Sequence, residues 1–188
     1  MKIKKIDETK ILGVQIITPH IHKDERGYFF ESFNSKVFNN LGLPTKFVQD
    51  NQSFSKKGTL RGLHYQLVYP QGKLVRVVQG EVFDVAVDIR RGSATFGEYE
   101  GVYLSDKNNK ILYAPEGFAH GYLVLSETAI FQYKCTKVYH PEDEYGVRWN
   151  DNDIDVKWPL KDPILSLRDK SLLNLKSIKE KHFPKFKG

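Results

Sequence analysis

The stretch "RGLHYQ", residues 61–66, sets Arg61 and His64 beside Leu60, Leu63 and Tyr65, and "PEGFAHGY" places a second histidine, His120, just after a Pro-x-Gly turn. Imidazole is the natural general base near neutral pH. A guanidinium is costly to bury unless it meets an anion, and its fork fits phosphate or carboxylate. A lone histidine on an apolar strand is more often a hydrogen-bonded core residue than a catalyst; the neighbouring arginine shifts that balance. Their separation of three puts Arg61 and His64 on opposite faces of a regular strand. Gly62, between them, marks a candidate bulge that would re-aim one of the two. A histidine base works best when a carboxylate fixes its tautomer and stabilises the imidazolium. Asp84, Asp88 and Asp169 are all candidates for that partner. Tyr133 is a candidate second proton donor, although core packing with a satisfied hydroxyl is the commoner role for such a tyrosine.

Other polar residues admit two readings each. Arg26 and Glu31 flank an aromatic run in "HKDERGYFFESF". They make either a surface turn with a weak salt bridge, or an anion-binding arginine with a carboxylate that accepts sugar or base hydrogen bonds. Gln49 and Asn51, two residues apart, share one strand face as turn formers or ligand contacts. Lys73 follows the turn "QGK", where a solvated lysine is the default. Pro-x-Gly-x-x-His resembles the second motif of the cupin superfamily, whose metal-binding members add a His-x-His pair from the first motif. The matching stretch here is His64-Tyr65-Gln66, which lacks the second histidine. A transition metal usually takes three or more suitable protein ligands, so no metal is expected and the histidines are left for proton transfer.

The elements that must carry these groups read as mostly β. "FDVAVDIR", 83–90, alternates Val85, Val87 and Ile89 against Asp84, Ala86, Asp88 and Arg90, the pattern of a half-buried strand. "AIFQYKCTKVY", 129–139, predicts a strand with Phe131, Tyr133, Cys135 and Tyr139 on one face. Further strands are expected near 28–33, 46–50, 60–66, 74–79, 99–104, 111–114 and 119–125, separated by turns such as "YPQGK" and "SDKNNK". Many short strands with frequent turns indicate a sandwich or barrel. A helix is expected over 34–42, opening on Asn34 or Ser35 and stopping at Gly42, and a C-terminal one over 169–181, capped by Asp169. No repeat or linker interrupts the 188 residues, so one domain, 1–188, is expected.

The 29 Lys and Arg exceed the 23 Asp and Glu, giving +6, an excess that favours anionic partners. Part of it sits in the basic tail "KSIKEKHFPKFKG", read as a solvated end. No zinc spacing, helix-turn-helix or aromatic-basic RNA motif suggests nucleic acid binding. No apolar run of about 20 residues predicts a membrane span, and "MKIKKIDETK" carries no apolar segment of a secretory signal. Cys135 is the only cysteine, which fits a reducing cytoplasm.

Six segments in register identify a resemblance: "DERGYFFESF", "QDNQSFSKKGTLRGLHYQ", "QGKLVRVVQGEVFDVAVDIRRGS", "PEGFAHGY", "YKCTKVYHPEDEYGVRWND" and "PILSLRD". Over about residues 11–170 the chain resembles the dTDP-4-dehydrorhamnose 3,5-epimerase family of cupins. The resemblance implies an all-β double-stranded β-helix, the cupin jelly-roll barrel, with a few short helices. It implies a homodimer with an exchanged N-terminal strand, no cofactor, and a nucleotide-sugar substrate. It assigns His64 as general base, Asp169 as its carboxylate, Tyr133 as proton donor and Lys73 as the cation near the ketone oxygen. Arg26, Glu31, Gln49, Asn51, Arg61, His120 and Glu144 match substrate-contacting positions, and Tyr139 matches the aromatic that stacks on thymine. The chain departs from the family at His22, where an aromatic is common, and at Arg168, where lysine is common; Arg168 keeps the charge of a substrate contact with altered geometry. The alternatives within reach of the same motifs are an epimerase of one carbon only or of a related nucleotide 4-keto sugar, a non-catalytic sugar-binding cupin, and a metal-dependent oxygenase.

Overall fold

The computed structural model of the chain describes residues 1–186; the last two residues of the basic tail lie outside them. Two antiparallel sheets face each other as a cupin jelly-roll barrel. The first runs β1 (Ile3–Glu8), β2 (Gln15–Pro19), β10 (Ile111–Ala114), β7 (Lys73–Gln79), β12 (Thr128–Cys135), β5 (Gln49–Lys56). The second runs β13 (Glu144–Gly146), β6 (Leu60–Gln66), β11 (Phe118–Val124), β8 (Glu81–Asp88), β9 (Tyr99–Ser105). A small hairpin, β3 (His22–Asp24) and β4 (Gly27–Phe29), stands apart from both. No helix is long and apolar enough to cross a membrane among the described residues.

Three apolar clusters set this arrangement. Val75, Val82, Leu104, Leu112 and Phe131 pack between the sheets. Leu63, Val85, Val87 and Ile89 point to the back of the second sheet, where Leu175 and Phe183 of the C-terminal segment cover them. Ile17, Leu74 and Ile111 on the back of the first sheet are covered by Phe38 of helix α1 (Ser35–Asn40). Strand β8 is therefore buried on both faces, not half-buried as its alternation predicts: Asp84, Ala86 and Asp88 are as inaccessible as Val85 and Val87. Its polar face lines the barrel interior, and sequence alternation alone does not separate an interior cavity from bulk water.

Helix α1 opens as expected, with the Asn34 side chain accepting from the Val37 amide. Three expectations need correction. The strand expected over 28–33 is confined to β4, after which the chain leads irregularly to α1. The strand expected over 129–139 ends at Cys135, so Tyr139 stands on a loop. The helix expected over 169–181 breaks into one α-helical turn, α2 (Leu167–Ser171), capped by Ser166 and not by Asp169, and two separate 3-10 turns at Leu175–Ser177 and Glu180–His182. Leu173 instead bridges to Val147, and the buried Asp151 carboxylate accepts the Leu175 amide at 2.7 Å. These tertiary bonds outweigh a weak helical preference.

The register around Gly62 resolves the odd spacing of Arg61 and His64. His64 lies opposite His120 and Arg61 opposite Tyr122, so Gly62 and Leu63 together face Gly121. That two-against-one count is a β-bulge, and it turns both polar side chains to one cavity. Gly62 has φ +130°, and a Cβ on it would meet the Gly121 Cα at 2.6 Å. The bulge therefore requires glycine on both strands.

Candidate active site

Between the two sheets lies a cavity of about 480 Å³. Its second-sheet wall carries Arg61, His64 and His120; its first-sheet wall carries Lys73 and Tyr133; the segment Ile164–Asp169 forms a rim.

His64 Nε2 lies 2.5 Å from Asp169 Oδ1. Of the three candidate carboxylates, Asp169 is the one that holds His64. It is 3 % exposed, and Ser166 Oγ fixes its backbone by accepting the Asp169 amide at 3.0 Å. Burial pushes the Asp169 carboxyl up, but the hydrogen bond and charge of His64, with Ser166 and Arg168, outweigh it and leave the group below the usual carboxylate range. A carboxylate that stays ionised on Nε2 leaves Nδ1 as the nitrogen free for proton chemistry. The other two carboxylates are used elsewhere. Asp84 holds His120 Nε2 at 2.9 and 3.1 Å, and Asp88 accepts from Arg90, Ser93 and Thr95.

On the opposite wall, Tyr133 is pushed up to about 12, chiefly by burial and then by Cys135, Tyr122 and Glu144, with Arg61 opposing. It keeps its proton at neutral pH and can only donate. Lys73, paired across the ladder with Cys135, is pulled below its ordinary value by burial; Cys135, Glu144 and Asp84 act against that pull. A cation held there in low dielectric acts strongly on any negative charge that develops beside it. Arg61 donates from Nε to Ser55 Oγ at 3.1 Å and lines the same cavity.

The remaining residues form a chain of bonds at one end of the barrel. Gln49 donates to Asn51 Oδ1 at 3.0 Å, and Asn51 donates to Cys135 Sγ at 3.6 Å. The Tyr139 amide donates to Gln49 Oε1 at 2.8 Å, and its hydroxyl donates to Glu144 Oε2 at 3.0 Å. Arg168 pairs with the Glu144 carboxylate and donates to its carbonyl oxygen. Glu144 Oε1 also lies 3.9 Å from His64 Nδ1. Two residues expected at the site are not brought to this cavity within the chain. Arg26 sits at the turn of the β3–β4 hairpin, 85 % exposed and paired with Asp24. Glu31 pairs with the N-terminal amino group and accepts from Asn34. No group of three or more His, Cys, Asp or Glu among the described residues is arranged to hold a metal ion.

A family profile described as dTDP-4-dehydrorhamnose 3,5-epimerase matches residues 8–177. The chain belongs to the dTDP-4-dehydrorhamnose 3,5-epimerase family. A protein of that description from Methanothermobacter thermautotrophicus is 53 % identical over 167 residues, covering 87 % of this chain and 90 % of the relative. The crystal structure of a dTDP-6-deoxy-D-glucose-3,5-epimerase from Legionella pneumophila, in complex with dTDP-4-keto-L-rhamnose, superposes with a TM-score of 0.95 at 49 % identity, covering 98 % of this chain and 99 % of that one. A 3'-monoepimerase from Streptomyces bikiniensis, in complex with dTDP-quinovose, superposes at 0.89 with 34 % identity over 94 % of this chain and 91 % of that one.

Within this dTDP-4-dehydrorhamnose 3,5-epimerase family member, sequence reasoning missed two kinds of residue. Tyr122 and Ser53 share a 2.7 Å hydrogen bond on the cavity wall. The signal available was Tyr122 directly after "FAHG", one strand step beyond His120. Gln66 and Asp143, both buried, were passed over because every partner they have is a backbone group.

Proposed function

We propose that the chain is a cofactor-independent isomerase that epimerises C3 and C5 of dTDP-4-dehydro-6-deoxy-D-glucose, giving dTDP-4-dehydro-L-rhamnose in dTDP-L-rhamnose biosynthesis. The observation that carries this reading is the carboxylate-held His64 facing a protonated Tyr133 across one cavity. The C4 ketone acidifies the hydrogens on both neighbouring carbons. His64 Nδ1 takes the proton from one face, and Asp169 stabilises the imidazolium that forms. Lys73 stabilises the enolate oxygen. Tyr133 returns a proton to the opposite face, and the stereocentre inverts.

In this reading Arg61 and His120 hold the diphosphate and sugar oxygens, Tyr139 stacks on thymine, and Gln49, Asn51, Glu144 and Arg168 complete the nucleotide contacts. Remote binding of this kind holds the sugar in position for the chemistry. Residues 1–188 act as one domain, and the active form is a cytoplasmic homodimer; β1 pairs with β2 of its own chain, so the hairpin β3–β4 is the segment offered to the partner. The hairpin supports that view: Arg26, Tyr28 and Phe29 are exposed and line no part of their own cavity, which leaves them available to complete a partner's site with Glu31.

The test is solvent exchange. Active protein in D₂O is expected to place deuterium at both C3 and C5 of the substrate, read by NMR. Exchange at neither carbon rejects the epimerase reading. Deuterium at one carbon only supports the second reading, a monoepimerase, which the likeness to the Streptomyces bikiniensis enzyme favours.

A further inference from the structure

His64-Tyr65-Gln66 occupies the stretch where a metal-binding cupin would place two histidines, and the third position carries an amide. Gln66 is 3 % exposed. Its Nε2 donates to the carbonyls of Tyr69 at 2.7 Å and Val138 at 3.4 Å, and its Oε1 accepts the His140 amide at 2.7 Å. Asp143, 4 % exposed, answers from the other side. Its carboxylate accepts the amides of Leu67, Val68 and Tyr69, at 2.8–3.3 Å. Each of two loops thus receives a buried side chain from the strand or turn beside the other. Loop 67–72 joins the strand of His64 to the strand of Lys73. Loop 136–143 joins the strand of Tyr133 to the strand of Glu144, and Tyr139 stands on it. The Tyr69 and His140 rings stack at 4.0 Å across the seam.

We propose that Gln66 and Asp143 are positioning residues for nucleotide binding, acting by clamping the two backbone segments that flank and aim Tyr139. Gln66 binds the carbonyl of residue 138 and the amide of residue 140, the peptide groups on either side of that tyrosine. An amide is required because the site needs a donor and an acceptor together. A glutamate would turn an anionic oxygen on two carbonyls, and an apolar side chain would leave buried backbone groups without partners. The same use of both amide ends explains why this position is not available as a metal ligand. The proposal rests on the reading of Tyr139 as the platform for the base.

The experiment compares Gln66→Met, Tyr139→Ala and the double variant, with the affinity for dTDP and for inorganic pyrophosphate measured by calorimetry. Tyr139→Ala and Gln66→Met are each expected to weaken dTDP by about tenfold, the scale of one lost buried contact, and to leave pyrophosphate within about twofold. KM for the nucleotide sugar should rise with the dTDP constant while kcat moves by less than about threefold. The double variant should bind dTDP no more weakly than Tyr139→Ala alone, because both changes remove one function. Additive losses, or a Gln66→Met variant with unchanged dTDP affinity beside a weakened Tyr139→Ala, overturn the clamp and leave the platform standing. Unchanged binding by Tyr139→Ala overturns the platform reading and the clamp with it. If Gln66→Met does not fold, Asp143→Asn, which keeps one acceptor oxygen, is read by the same criteria.

Discussion

Replacing Asp169 by asparagine removes one charge from a buried, shape-conserving position, and its effect follows from the geometry. The carboxylate lies 2.5 Å from His64 Nε2 and is 3 % exposed. When His64 accepts a substrate proton, an imidazolium forms against it. Two unit charges about 4 Å apart, centre to centre, attract by about 4 kcal/mol at an effective dielectric of about 20. Discounting for the amide dipole that remains leaves about 3–4 kcal/mol, or roughly 10²–10³-fold in kcat/KM. The amide adds a second penalty. If its NH₂ meets Nε2, the ring must carry its proton on Nδ1, which is the wrong tautomer for a base at that nitrogen. The assay is kcat/KM together with the rate of deuterium wash-in at C3 and C5. A variant within about threefold of the parent on both would refute the dyad as the source of proton abstraction.

Other outcomes follow from the same site. Tyr133→Phe should slow product formation by about 10²-fold or more while wash-in at the first carbon persists; equal loss of both would remove Tyr133 as the donor. Lys73→Met should abolish most turnover yet raise the melting temperature, because burial disfavours the lysine's charged form; a lower melting temperature contradicts that account. The lowered Asp169 carboxyl contributes stability that is present above its unfolded value and is lost as pH falls through its folded value. The parent should therefore lose more stability than Asp169→Asn on acidification below about pH 4, read by urea midpoints; parallel curves would argue against the pairing. Mixing inactive Arg26→Ala and His64→Asn proteins should restore activity, since hybrid dimers hold one complete site; no recovery rejects a site shared between subunits.

The barrel was legible because its strands are short, alternating and punctuated by turns, and because Gly62 flagged the place beside His64 where period-two logic fails. The choice among Asp84, Asp88 and Asp169 was not legible from spacing. All three are buried carboxylates, and the one that meets His64 is 105 residues away in sequence, so the pairing is fixed by folding alone. The C-terminal segment misled because "SLLNLKSIKEK" has helical spacing, while Leu175 and Ile178 pack on the back of the second sheet and the Leu173 backbone bridges to Val147. Gln66 and Asp143 left no pattern because their partners are main-chain groups, which every sequence supplies. Arg26 and Glu31 were expected at the site, yet no single chain brings them there.

The dyad carboxylate arrives late. Asp169 stands on the single turn α2, far downstream of every strand that lines the cavity. During synthesis both barrel walls leave the ribosome before the carboxylate that bonds His64. The same segment carries Leu175 and Phe183, which cover the back of the second sheet, so the carboxylate reaches His64 in the step that closes the core.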